Sequence, residues 1–233
     1  MNKIDNYDNN LTDDINNNKT IEQILIYGNA TIMNIKKIKD SLNIVGIDKL
    51  NKIIIRSDKE GIECGFGFCN NDNITTTKMC IGDECGVFLV NCGKDKRMIG
   101  SFHTHPREED HPSGHDIKGS IINNEDFSCL GTMRTMKKEK KLKPIIRCYL
   151  TKNYDINNYI PTTVINTINE HEKNIKPINP ATITDEELAE RSAKSAKYNK
   201  AIILLSKATD KISRKMIRES NRNADLTIEN KNS

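Results

Sequence analysis

Residues 97–116 read RMIGSFHTHPREEDHPSGHD, and this stretch decides how the rest of the chain is understood. It opens as a β-type run, and in an extended strand residues two apart leave the same face, so His103 and His105 point the same way. Pro106 ends the run. Pro112-Ser113 then has the chemistry of a helix start, and Asp116 follows Ser113 by three residues, the spacing of a reciprocal N-cap. A helix beginning there turns the Asp116 carboxylate back toward the end of the strand. Four of the five histidines fall between His103 and His115. Two imidazoles and a carboxylate are three protein ligands, the number that leaves zinc a fourth position for water. The pattern therefore points to a catalytic rather than a structural metal.

Outward from this stretch, residues 62–150 alternate short β-type runs with turn residues: ECGFGFC, NITTTKMC, CGVFLVNC, KRMIGSFHT, SCLGTM and PIIRCYL. One helix-like segment, HDIKGSIINNE, interrupts them. This predicts a mixed α/β (α+β) domain with a largely antiparallel sheet. Upstream, IEQILIYGNATIMNIKKI fits helix and strand about equally, and a helix is expected around residues 48–56. Residues 1–20 contain seven Asn and few aliphatic side chains, too little apolar surface to offset the entropy of ordering them, and read as a flexible arm. The expected division is an arm over 1–20, a catalytic domain over 21–153, a connector over 154–180 rich in Asn, Thr and Pro, and a basic helical extension over 181–233. In that extension Thr184 and Glu187 form a capping box. Tyr198, Ile202, Leu205, Ile212 and Met216 make an apolar stripe that must be buried, either on the core or against another protein. Ten Lys/Arg lie between Arg191 and Arg222, opposed only by Asp210 and Glu219.

The chain has 233 residues and a formal net charge of +4, too small a surplus to indicate nucleic acid by itself. No run approaches a membrane span, and the start lacks the apolar core of a signal peptide. Seven cysteines with no CxxC pair argue against a zinc ribbon and predict reduced thiols in a cytoplasmic setting. Cys64, Cys69, Cys80, Cys85 and Cys92, all in β-type runs, are expected as small buried hydrophobes.

A hydrolytic site also needs a base near the metal that does not ligate it. Glu63, at the head of IECGFGFC, has the right residue type and context. Glu84 in DECGVF shares that context and is the rival, though it leaves little room for a hairpin before His103. Taken together, His103-Thr104-His105-Pro106, the spacing to Pro112-Ser113 and then Asp116 resemble the signature of the JAMM (MPN+) zinc metallopeptidases. Glu63-Cys64-Gly65-Phe66 is similar to the strand that carries that family's catalytic glutamate. The resemblance covers roughly residues 48–150. It implies an MPN/JAB-like, cytidine-deaminase-like fold with a curved sheet flanked by helices. It further implies one zinc per chain on His103, His105 and Asp116, with Glu63 as general base and acid and Ser113 as oxyanion donor. The implied activity is hydrolysis of isopeptide or peptide bonds at the C-terminus of ubiquitin or a ubiquitin-like modifier.

Plainer readings stand beside these. Ser113 to Asp116 is also an ordinary helix start, and His111 and His115 are expected as loop residues rather than ligands. The basic stretches at residues 134–143 and along the C-terminal helix are expected as solvated faces, the second also as a docking surface for an acidic partner. Two other functions remain open. One is an inactive MPN-type scaffold, against which the three retained ligands count. The other is a nucleic-acid-associated protein similar to the RadC branch, against which Thr104 counts because that branch usually carries Asn between its histidines. Membrane and nucleic-acid partners are not expected.

Overall fold

The computed structural model describes residues 21, 23–28, 30–71, 73–83, 86–87, 89–93, 96–107, 111–136, 140–151, 158–173, 184–220, 224 and 226–229. The 1–20 arm, Glu84, Cys85 and much of the 154–180 connector lie outside the described residues.

In chain order the elements are β1 (Gln23–Tyr27), α1 (Ile32–Val45), α2 (Ile47–Glu60), β2 (Cys64–Asn71), β3 (Asn73–Thr76) and β4 (Cys80–Ile81). Then come β5 (Arg97–His105), α3 (Gly114–Ile122), β6 (Phe127–Met136), β7 (Lys141–Tyr149), α4 (Thr162–Lys173), α5 (Asp185–Ser220) and β8 (Leu226–Glu229). The strands form one open, mixed sheet in the order β3-β2-β5-β6-β7-β1-β8, with β4 paired to β2. Most pairings are antiparallel; β5–β6 and β7–β1 are parallel. The expected mixed α/β class with a largely antiparallel sheet flanked by helices is the one observed.

Side-chain alternation divides the core into two layers, one on each face of the sheet. On β1, Ile24 and Ile26 join one layer while Leu25 and Tyr27 join the other. The first layer covers α1 and α2 through Ile38, Leu42, Leu50, Ile53 and Ile54, packed on Phe66, Phe68, Phe102 and Phe127. Thr31 caps α1 by accepting from the Asn34 N–H, and α2 ends at Gly61 in the left-handed region with φ 66°. The second layer holds Ile117 of α3, Ile168 of α4, and Ala201, Leu205, Ala208, Ile212 and Met216 of α5. The apolar stripe read in the C-terminal segment is thus buried on the core; full burial of a side chain such as Leu205 contributes ~1.5–3 kcal/mol. No helix among the described residues is long and apolar enough to cross a membrane.

Three expectations need correction. The run CGVFLVNC forms no strand at its described residues; Leu89 instead lies over β2, where a Cβ on Gly65 would fall 2.8 Å from its Cδ2. Residues 162–173, expected as connector, form α4, because Ile168 packs beneath α5 and supplies the burial that local propensity lacks. The expected set of reduced thiols is wrong for two pairs: Cys69–Cys92 and Cys129–Cys148 are disulfides. The second joins directly opposed residues of β6 and β7, a proximity created only by the strand register. Cys64 and Cys80 are free. Cys64 is buried, as expected of a small hydrophobe, whereas Cys80 is half-buried.

Candidate metal centre

The parallel pair β5–β6 is connected through α3, and such a crossover brings the helix N-terminus to the C-terminal end of the preceding strand. His103 and His105 are the last residues of β5 on the face toward α3, both buried, with ring centroids 5.0 Å apart. Phe102, between Ser101 and His103, points into the opposite layer. Asp116 lies in the first turn of α3. The Ser113 side chain accepts from the Asp116 N–H at 3.3 Å, and the Asp116 carboxylate accepts from the Ser113 N–H at 2.6 Å, completing a capping box.

This places Asp116 Oδ1 3.4 Å from His103 Nε2 and Asp116 Oδ2 3.3 Å from His105 Nε2. One donor atom from each of the three residues falls within 4.8 Å of the others. Ligands held tetrahedrally at zinc bond lengths are about 3.3 Å apart, so these separations suit such an ion. His103 Nε2 is also buried without a hydrogen bond, a state that normally costs free energy and that a bound cation would relieve. The donor set and the orphaned nitrogen both fit a metal.

Electrostatics agree with the geometry. Burial disfavours charge on His103, but the Asp116 carboxylate, followed by Glu63 and Glu125, outweighs it and raises the imidazole pKa. Burial would likewise raise Asp116, yet the two histidines hold it well below the usual carboxylate range. The centre therefore keeps a half-buried carboxylate ionised beside two buried imidazoles, where it attracts a cation.

Glu63 lies immediately before β2, buried, with Oε1 3.8 Å from His105 Nε2. Continuing the antiparallel register Gly65↔His103 by two residues puts Glu63 opposite His105. Its backbone is held on the other side, donating to Asp83 O and accepting from the Gly82 N–H, both at 2.8 Å. His115 is exposed and His111 half-buried, and neither belongs to the ligand cluster.

Sequence reading missed two supports. Thr104 Oγ1 accepts from the Cys64 N–H at 2.9 Å, strapping the segment that carries Glu63 to β5; a threonine between the two clustered histidines was the available signal. Glu125, buried at the mouth of β6, accepts from Ser101 Oγ at 2.7 Å, and burial raises its pKa despite that bond. Nothing local in the sequence distinguishes Glu125 from a surface acid. Burial also pushes the Cys64 thiol up to about 11, which makes it a neutral, unreactive neighbour of Glu63.

The chain matches no protein-family model and no curated protein.

Proposed function

We propose that this protein is a zinc-dependent isopeptidase or peptidase of the JAMM (MPN+) type, acting on conjugates of a ubiquitin-like modifier or a related protein tail. The observation that carries the reading is the convergence of His103, His105 and Asp116 with Glu63 at 3.8 Å from His105. The fold agrees in class: an open sheet flanked by helices, with the histidines at the C-terminal end of a strand. The finer MPN/JAB-like assignment rests on the motif resemblance.

His103, His105 and Asp116 would hold the ion, one per chain. When bound, zinc supplies Lewis acidity toward a carbonyl oxygen and lowers the pKa of water in the site. Glu63 would serve as general base and acid, taking a proton from the attacking water and delivering it to the leaving amine, a role that requires a carboxylate close to the ligands but outside them. Ser113 Oγ accepts the Asp116 N–H as a cap, and its own hydroxyl proton remains available to donate to the charge developing on the substrate oxygen. Burial of Glu63, His103 and His105 restricts water on that side of the site and strengthens the interactions among them.

The reading includes a cytoplasmic setting, and the two disulfides count against that part. The cations on the exposed side of α5, such as Lys200, Lys207, Lys211 and Arg214, would suit an acidic partner. A panel of isopeptide-linked ubiquitin-like conjugates, incubated with zinc-loaded protein with and without a chelator, tests the proposal. Chelator-sensitive cleavage of at least one conjugate is expected. Full zinc occupancy with every conjugate intact would favour the scaffold reading instead.

A further inference from the structure

We propose that α5 is the support on which the metal-binding loop is built, and that Ser213 is the positioning residue for Asp116. The inference rests on the metal reading above and extends it to a helix that shares none of its ligands.

Ser213 Oγ donates to the Pro112 carbonyl at 2.9 Å in a buried setting. That carbonyl belongs to the same peptide unit as the Ser113 N–H, which donates to Asp116 Oδ2 at 2.6 Å. Asp116 Oδ2 in turn faces His105 Nε2 at 3.3 Å. This peptide bond is trans, so the planar unit points its carbonyl toward α5 and its N–H toward the carboxylate. Fixing one end of the plane fixes the other. A hydrogen bond on the carbonyl also polarises the peptide and strengthens donation from its N–H.

Two further contacts lock the loop to the same helix. A Cβ on Gly114 would lie 2.9 Å from Asp210 Oδ1 and 3.8 Å from Thr209 Oγ1, so the start of α3 presses directly on α5. Ile117, one residue beyond Asp116, packs in the cluster that contains Leu205, Ile212 and Met216. The loop that carries both Ser113 and Asp116 is therefore seated on α5 through backbone, hydrogen bond and apolar contact.

The test compares full-length Ser213→Ala, Ser213→Thr and Ile38→Val with the wild type. The first removes the donor, the second keeps it, and the third weakens the opposite core layer, where Ile38 of α1 is buried away from α5. Amide exchange at Ser113 and Asp116 is measured by NMR on chelator-treated protein, and zinc affinity by competition with a chromogenic chelator. Ser213→Ala is expected to exchange at least ~10-fold faster at Ser113 and to bind zinc ~10- to 100-fold more weakly, the range for loss of a group that orients a ligand. Ser213→Thr should follow the wild type. Ile38→Val should melt earlier with both readouts unchanged. Wild-type exchange at Ser113 in Ser213→Ala overturns the proposal, as does faster exchange with unaltered zinc affinity, or an equal effect from Ile38→Val. A wild type that binds no zinc overturns the metal reading instead, and the exchange comparison then still decides whether Ser213 holds the loop.

Discussion

Glu63 and His105 meet at 3.8 Å across the pair of segments that open β2 and close β5, and Glu63 is held there by main-chain bonds to Gly82 and Asp83. A carboxylate fixed beside a ligand, rather than ligating, is the placement a proton shuttle needs. Glu63→Gln keeps the shape and removes the acceptor. Hydrolysis by this variant is expected to fall ~10²- to 10⁴-fold with zinc content unchanged. Equal rates for Glu63→Gln and wild type, or loss of activity only in Glu84→Gln, would assign the base wrongly here.

Ser113 has two jobs in this account, and one substitution separates them. Ser113→Ala removes the cap of α3, which costs ~1 kcal/mol of stability, and removes an oxyanion donor, which costs ~10²- to 10³-fold in kcat. Melting temperature and kcat measured on the same preparation give the two effects independently. A lowered melting temperature with an unchanged kcat leaves only the cap.

Burial raises the Glu125 pKa above its ordinary value of 4.5. The folded state then holds its proton more tightly than the unfolded one. Its contribution is fully present below pH 4.5 and is lost as pH rises through the folded-state pKa. Glu125→Gln cannot ionise and still offers Ser101 a carbonyl acceptor. Its melting temperature, followed in chelator from pH 4 upward, should lack the decline that the wild type shows over this window. Parallel profiles for the two proteins would mean that Glu125 is not buried as described.

Peptide mapping of unreduced protein should recover Cys69 linked to Cys92 and Cys129 linked to Cys148, with Cys64 and Cys80 open to alkylation after unfolding. The same mapping on protein from its native source reports the redox compartment. All six as thiols there would support the cytoplasmic setting.

What the sequence made legible was local. The capping box at Ser113 and Asp116, the two-residue spacing of His103 and His105, and the break after Pro106 are set by near neighbours, and each is found where the pattern places it. What it hid depends on register and packing. The disulfide partners of Cys69 and Cys129 lie on other segments, so an odd cysteine count suggested thiols that the fold brings into pairs. The helix at 162–173 contains Asn and Thr at many positions, and Ile168 buried under α5, with Val164 and Ile165 packed against the same cluster, explains why it forms. β1 stayed ambiguous because its partner β7 is distant in the chain and parallel to it. Ser213 carried no local sign of its bond to Pro112, for the same reason.

The central claim is the metal. Purified wild-type protein analysed by inductively coupled plasma mass spectrometry should contain close to one zinc per chain, and His105→Ala and Asp116→Ala should contain almost none while remaining folded by circular dichroism. Full zinc content in both variants, or a wild type that takes up no zinc when supplied with it, would contradict the account.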